Sequence, residues 1–251
     1  MELSLGAEPF RFRILPLIVV IVLGIGIPIL AAMSAYTLIV TLHLSVKPGD
    51  NYPWLFIHHT FQLLLALIAI AILKRMVPAD YGLHRPRGRN YIGPAILWGL
   101  FFGLLMTLWD YFPALLAHSA PHLDYPLTRQ NMIGWLTFEG LYVGPTEEIP
   151  FRALLVSFLA ATMPGRVRAF GYTMNAAGIL VALIFALAHL SSFWTEAWPL
   201  ALAQQAYAFM LGVLYAYWLE KSGSVLAPAI GHNVGDVSES ILVYLWIALH
   251  P

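Results

Sequence analysis

The chain has 251 residues, of which 60% are hydrophobic and only 10% are charged, and its mean hydropathy is +0.75. About a quarter of the residues in a soluble domain are charged, so this composition excludes a soluble globule; it also excludes a disordered chain, which needs low hydrophobicity. Because the formal net charge is zero, no overall positive field attracts nucleic acid. The sequence contains no cysteine, which excludes disulfide bonds, cysteine-ligated zinc and thiol catalysis.

Seven long apolar stretches predict membrane-spanning helices, because about 20 apolar residues are needed to cross the hydrocarbon core of a bilayer. They lie at residues 14–42, 54–73, 92–117, 132–161, 169–190, 198–219 and 225–249. The fourth stretch contains Gly144, Pro145 and Pro150, and the last contains Pro228; a break at one of these points would give eight segments. We therefore expect an all-α polytopic membrane helical bundle of seven or eight transmembrane helices, in which residues 1–251 form a single integral membrane domain.

The basic residues are distributed unevenly between the loops that join these stretches. With seven spans, ten of the lysine and arginine residues lie on one side of the membrane and two on the other, and Arg152 lies inside a span. Since cytoplasmic loops carry an excess of lysine and arginine, the pattern predicts that the N-terminus and the loop at 74–90 face the cytoplasm. We expect a multi-pass protein of a prokaryotic plasma membrane, in contact with bilayer lipid.

Ionisable side chains are concentrated in the fourth, fifth and seventh stretches. An ionisable residue in hydrocarbon costs at least about 2.5–3.5 kcal/mol on insertion scales, so its presence points to a function. These residues are Glu139, Glu147, Glu148, Arg152, His189, His232, Asp236 and Glu239. The first two stretches contain few such groups, chiefly His58, His59 and Gln62. This uneven distribution indicates a functional site more than a purely structural bundle.

The segment from Glu147 to Arg152 contains two adjacent carboxylates and one base. Glu148 and Arg152 are four residues apart, so they share a face of a helix and can form an ion pair. Glu147 lies about 100° around the helix from Glu148, which leaves its carboxylate for other chemistry. Pro145 and Pro150 each remove a helical N–H and leave a carbonyl without its usual donor. The helix is therefore kinked here, or a new helix begins at Pro145 with both acids in its first turn.

Two further pairs have the same spacing of four residues. Phe185 and His189 share one helical face, and His232 and Asp236 share another. Two chemistries fit such a set of carboxylates and imidazoles. In the first, a carboxylate and a histidine activate a water while the other histidine stabilises an oxyanion. In the second, Glu147, His189 and His232 bind zinc and leave one coordination position open. The sequence contains no H-E-x-x-H motif, and the spacing alone leaves both chemistries open.

The three patterns, in this order along the chain, resemble the motifs of the CAAX-protease and bacteriocin-processing family (CPBP or ABI family) of intramembrane proteases, which includes the type II CAAX prenyl endopeptidases. The matching residues are Glu147-Glu148-x-x-x-Arg152, Phe185-x-x-x-His189 and His232-x-x-x-Asp236. The resemblance covers about residues 147–236, within a protease-like core at 132–249. It implies a bundle of about eight helices around a polar cavity that opens to the membrane or the cytosol. It also implies hydrolysis of peptide bonds in membrane-associated or lipidated protein and peptide substrates.

The resemblance further implies a role for each motif residue. Glu147 and His189 would activate the water, His232 and Asp236 would line an oxyanion site, and Glu148 and Arg152 would form a supporting pair. The prenyl proteases of this family are described as glutamate-dependent and metal-free, so no cofactor is expected, with zinc at Glu147, His189 and His232 as the alternative.

Asp236 departs from the best-described members of the family, which have an asparagine that donates a hydrogen bond at this place. A carboxyl group donates only when it is protonated, and an ionised carboxylate would repel an oxyanion. Two roles are therefore open for Asp236: it donates in a protonated form, or it orients His232.

Other classes of protein also place acids and histidines inside the membrane. Proton relays use them, so a proton-coupled transporter or a catalytically silent membrane scaffold is the main alternative, although the inverted repeat of many transporters is not evident. An aspartyl intramembrane protease would use Asp110 and Asp236, but the residues beside them do not match the usual Y-D and G-x-G-D patterns. Serine chemistry is disfavoured because no G-x-S-x-G motif is present.

Overall fold

The structure is a computed structural model that describes residues 2–4, 6–11, 13–44, 51–169 and 171–250. Helices account for most of it. They are α1 (Ile14–Thr41), α2 (Asn51–Met76), α3 (Ile92–Asp110), α4 (Phe112–Leu116), α5 (Arg129–Thr137), α6 (Val143–Glu148), α7 (Ser157–Thr162), α8 (Ala176–Leu187), α9 (Ser192–Thr195), α10 (Trp198–Ser222) and α11 (Leu226–Leu249), with two π-helical segments, π1 (Phe138–Tyr142) and π2 (Ile149–Val156). The prediction of an all-α membrane bundle is confirmed.

Five helical segments are long and apolar enough to cross a membrane. They are Ile14–Thr41, Tyr52–Met76, Ile92–Asp110, Ala176–Thr195 and Trp198–Ser222. The other two predicted stretches are the continuous helical run at 129–162 and α11, and these contain most of the intramembrane acids. Each of the seven predicted stretches therefore corresponds to a helical segment, and the charged stretches are the ones that form the site.

Two of the predicted boundaries are wrong. The stretch at 92–117 is divided at Tyr111, where α3 has ended and a short helix with Pro113 in its first turn begins. The stretch at 169–190 begins with the last residue of one strand, Ala169, and includes the next strand, β4 (Tyr172–Asn175), so α8 starts only at Ala176. There the Asn175 side chain caps the helix by accepting a hydrogen bond from Ala177 N at 2.8 Å.

A small antiparallel sheet accompanies the helices and is absent from the sequence prediction. Its strands are β1 (Glu2–Ser4), β2 (Gly6–Arg11), β3 (Arg166–Ala169) and β4, in the order β1-β2-β3-β4. Arg166 of β3 forms an ion pair with Glu220 near the end of α10 at 2.6 Å. The hairpin of β3 and β4 therefore joins the end of the fourth stretch to α8 and is fixed to α10.

The fourth stretch is one uninterrupted helical run from α5 to α7. The α-helical turns around Gly144 lie between π1 and π2, and the backbone of Tyr142 and Glu148 at their ends is also helical. A separate helix beginning at Pro145 is therefore wrong, and the prolines are accommodated by widened turns. Such π segments occur frequently at functional sites.

The packing of α11 against α3 depends on pairs of glycines. A Cβ atom added at Gly99 would lie 2.8 Å from Gly231 O, and one added at Gly103 would lie 2.6 Å from Gly235 O. Both distances are too short for a real side chain, so the two helices approach backbone to backbone, as small residues four apart allow in membranes. This contact fixes the helix that carries His232 and Asp236.

Candidate active site

Four of the six predicted site residues line one cavity of about 300 Å³. They are Glu147, His189, His232 and Asp236. Glu148 and Arg152 lie behind this cavity, where their side chains are 0% and 1% exposed. The structure thus brings all three motifs together, with one layer of side chains facing the cavity and a fully buried pair supporting them.

Glu148 connects the first motif to the last. Its Oε2 lies 3.0 Å from Arg152 Nε, which confirms the predicted ion pair. Its Oε1 accepts a hydrogen bond at 2.8 Å from Nδ1 of His232, which the sequence did not predict. Because Nδ1 donates to Glu148, the Nε2 atom of His232 is the one that faces Glu147 and lies 3.8 Å from its Oε2. A buried carboxylate therefore fixes the orientation of the imidazole.

The guanidinium of Arg152 lies between aromatic rings. Its Cζ is 4.1 Å from the ring centroid of Phe185 and 5.4 Å from that of Tyr215. In the described part of the chain its Nη1 and Nη2 atoms have no hydrogen-bond partner. Cation–π attraction to the two ring faces therefore stabilises this buried charge in addition to Glu148. This explains why an aromatic residue precedes His189 by one helical turn.

His189 lies in a turn just beyond the end of α8, not inside a helix as the stretch 169–190 predicted. Its Nδ1 donates to Phe185 O at 2.9 Å, and its ring packs edge-on against the Phe185 ring at 5.0 Å. The backbone oxygen of His189 accepts from Gln205 Nε2 at 3.0 Å. Since Nδ1 is occupied, Nε2 is the nitrogen left for the cavity.

The comparisons with known proteins identify the segment that holds this site. Residues 129–238 match the family model described as Type II CAAX prenyl endopeptidase Rce1-like. The chain carries an Rce1-like domain. No curated protein and no solved structure matches the chain significantly. The Rce1-like segment runs from α5 into α11 and contains all six predicted site residues, so the family resemblance is confirmed and indicates a CAAX-type peptidase.

Within the Rce1-like domain, Gly144 sets the distance between the first and last motifs. Its N–H donates to Asn233 Oδ1 at 2.7 Å. A Cβ atom added at Gly144 would lie 2.3 Å from Ala229 O and 2.6 Å from Asn233 Oδ1. Only glycine allows the helix that carries Glu147 to come this close to α11, the helix that carries His232. The Gly144–Pro145 pair in the sequence indicated unusual backbone here, but the sequence did not show that Gly144 packs against Ala229 and Asn233.

Asp236 lies beside His232, with its Oδ2 3.4 Å from Nε2 of the ring. The carboxylate therefore touches the nitrogen that faces the cavity. Three further acids line the same cavity: Asp110, Glu139 and Glu239. Asp110 accepts a hydrogen bond from Tyr207 Oη at 3.0 Å. These acids form an acidic wall on one side of the catalytic candidates, and of the three only Glu139 belongs to the matched segment 129–238.

The zinc alternative at Glu147, His189 and His232 can be compared with the positions of the described residues. Among them, no three histidine, aspartate or glutamate side chains are arranged to hold a metal ion. The Nδ1 atom of His232 is already bonded to Glu148, and Nδ1 of His189 to a backbone oxygen. Nε2 of both rings is therefore the nitrogen left for the cavity, and the same bonding of Nδ1 is found in acid–base histidines and in zinc-ligating ones.

Sequence reasoning named His59 and Gln62 among the polar groups of the second stretch but did not assign them to the site; both lie outside the Rce1-like domain and contact it. His59 Nδ1 is 2.9 Å from Thr146 Oγ1, and His59 Nε2 is 3.9 Å from Glu147 Oε1. Gln62 Nε2 donates to Thr146 O at 3.0 Å. The available signal was their spacing, because His59 and Gln62 are three residues apart and share one helical face in a mostly apolar stretch.

Proposed function

We propose that this protein is an intramembrane endopeptidase that hydrolyses peptide bonds of membrane-associated or lipidated substrates with a water activated by Glu147. The observation that carries the proposal is the position of Glu147 in an Rce1-like domain. Its neighbour Glu148 is paired with Arg152, whereas the Glu147 carboxylate faces the cavity beside the imidazole of His232. Among the described residues no lysine or arginine pairs with Glu147, and such a carboxylate is suited to accept a proton from water.

In the proposed mechanism, Glu147 removes a proton from a water whose oxygen attacks the carbonyl carbon of the substrate. The free Nε2 of His189 accepts the second hydrogen bond of that water and orients it. A tetrahedral intermediate forms with its negative charge on the former carbonyl oxygen. Glu147 then gives the proton to the leaving nitrogen as the carbon–nitrogen bond breaks, so the acid and base steps use one carboxyl group.

His232 is proposed to stabilise the oxyanion. Its Nδ1–H is directed to Glu148, so in the imidazolium form its Nε2–H is available to the developing negative charge. Of the two roles open for Asp236, its contact with this Nε2 favours orientation of the ring. No metal takes part in these steps. The lysine and arginine distribution further supports an N-terminus in the cytoplasm.

The test is cleavage by purified protein in detergent and in proteoliposomes. The probes are a quenched fluorescent peptide with a farnesylated C-terminal Cys-aliphatic-aliphatic-X sequence and the same peptide without the lipid. Mass spectrometry of the products identifies the cleaved bond. We expect cleavage that is lost in Glu147→Gln, retained in Glu220→Gln and unaffected by a zinc chelator. Loss on chelation with recovery on zinc addition would overturn the metal-free mechanism, and substrate-dependent proton flux without cleavage would favour a transporter.

A further inference from the structure

Helix α2 presents two buried polar side chains to the segment that carries Glu147. His59 and Gln62 are 5% and 3% exposed, and both contact Thr146, the residue directly before Glu147. Buried polar groups on an otherwise apolar membrane helix are costly unless their hydrogen bonds are satisfied. This pair therefore indicates a specific function for α2, which lies outside the matched segment 129–238.

The contact with Thr146 determines which nitrogen of His59 faces Glu147. Thr146 Oγ1 donates its only hydrogen to Tyr142 O at 2.8 Å, so it accepts from His59 at 2.9 Å. Nδ1 of His59 is then the protonated nitrogen, and Nε2 directs its lone pair toward Glu147 Oε1. The separation of 3.9 Å is too long for a direct hydrogen bond and fits one bridging water that donates to both atoms.

Gln62 acts on the backbone of the same turn. Pro150 has no N–H, so the carbonyl of Thr146, four residues earlier, lacks its usual helical donor. The amide of Gln62 supplies one at 3.0 Å. Consequently α2 holds both the side chain and the carbonyl of the residue before Glu147.

We propose that His59 is a positioning residue of the active site. Through a bridging water, it holds Oε1 of Glu147 on the α2 side. Oε2 is thereby directed toward His232 and acts as the base. Gln62 supports this arrangement by fixing the adjacent backbone. The inference rests on the proposed function, since it specifies which carboxylate oxygen of Glu147 accepts the proton from water.

The test compares three substitutions of His59 with one matched control. Asparagine places an amide near the position of Nδ1 and keeps the bond to Thr146, whereas glutamine reaches the position of Nε2; alanine removes both. The control is His58→Ala, because His58 is the next residue on α2 and is bonded to Pro28 O rather than to the site. For each variant, kcat and KM on the farnesylated peptide and the midpoint of thermal unfolding are measured.

We expect His59→Ala to lower kcat by up to about 100-fold with KM little changed, since misplacing a catalytic group by about an ångström has such effects. His59→Asn should restore the unfolding midpoint without restoring kcat, His59→Gln should recover part of kcat, and His58→Ala should keep the wild-type kcat. Full recovery of kcat by His59→Asn would overturn the proposal, because a purely structural role would then suffice. Wild-type kcat in His59→Ala would overturn it as well.

A second measurement separates this inference from the proposed function. The decrease in the midpoint temperature of thermal unfolding that His59→Ala causes is measured in the wild type and in the Glu147→Ala variant. A bridged contact predicts a smaller loss when Glu147 is already absent. Equal losses would overturn the contact whether or not the protein cleaves peptides. Cleavage that survives in Glu147→Gln would instead refute the proposed function. The comparison of unfolding midpoints would then still test the contact between His59 and Glu147.

Discussion

The buried pair of Glu148 and Arg152 allows a quantitative prediction about stability. The two side chains are 0% and 1% exposed and are 3.0 Å apart, and Glu148→Gln keeps the volume while removing the negative charge. Breaking a buried pair in this way costs about 3–5 kcal/mol. The faces of Phe185 and Tyr215 continue to attract the guanidinium and offset about 0.5–2 kcal/mol of this. We therefore expect a loss of about 1–4.5 kcal/mol in the free energy of unfolding.

The assay is reversible unfolding of the purified protein in mixed detergent micelles, with Arg87→Gln as the control. Arg87 pairs with Asp80 at 3.2 Å but is 73% exposed, so its removal should cost at most about 1 kcal/mol. The double variant Glu148→Gln with Arg152→Met should recover much of the stability, because it removes both charges. A loss in Glu148→Gln no larger than that in Arg87→Gln, or strictly additive losses in the double variant, would refute the reasoning.

Three further predictions concern packing, ring contacts and pH. Gly144→Ala should abolish cleavage and lower the unfolding midpoint because its Cβ would meet Ala229 O, whereas Gly26→Ala, which has open space, should do neither; wild-type cleavage by Gly144→Ala would contradict the packing. Phe185→Leu should destabilise the protein by about 1–2 kcal/mol beyond the lost area, since it removes the closest ring from Arg152; unfolding free energies check this. The backbone N–H of Gly82 holds the pKa of Asp80 below its ordinary value, so this contribution to stability is present at neutral pH and is lost as pH falls through the lowered pKa. In Asp80→Asn the midpoint of thermal unfolding should therefore fall less steeply at acid pH than in the wild type. An equally steep fall would contradict this role of Asp80.

The helical part of the fold could be predicted because hydrophobic length is a local property. Each apolar stretch of about 20 residues forms a helix, because in hydrocarbon its backbone N–H and C=O groups must bond to one another. The hairpin of β3 and β4 was missed because Ala169 and Phe170 in sequence, followed by Tyr172 and Met174, extend the apolar stretch that continues into α8. The cap formed by Asn175 was the signal that the helix starts later.

The site was predictable to the extent that helical spacing determines contacts. The Glu148–Arg152 pair and the packing of Phe185 on His189 follow from residues four apart. The bond from His232 to Glu148 joins residues 84 apart in sequence, and the contact of His59 with Thr146 joins residues 87 apart. No local pattern contains such pairs, because helix packing through residues such as Gly144 determines them.

The central claim is that the carboxylate of Glu147 activates the water that cleaves a peptide bond. The most direct measurement is kcat on the farnesylated peptide for the wild type, Glu147→Gln and Glu220→Gln in the same proteoliposomes. Glutamine keeps the shape of the side chain but cannot accept the proton, so kcat should fall to background in Glu147→Gln and stay at the wild-type value in Glu220→Gln. Cleavage of the same bond by Glu147→Gln at the wild-type rate would contradict the account.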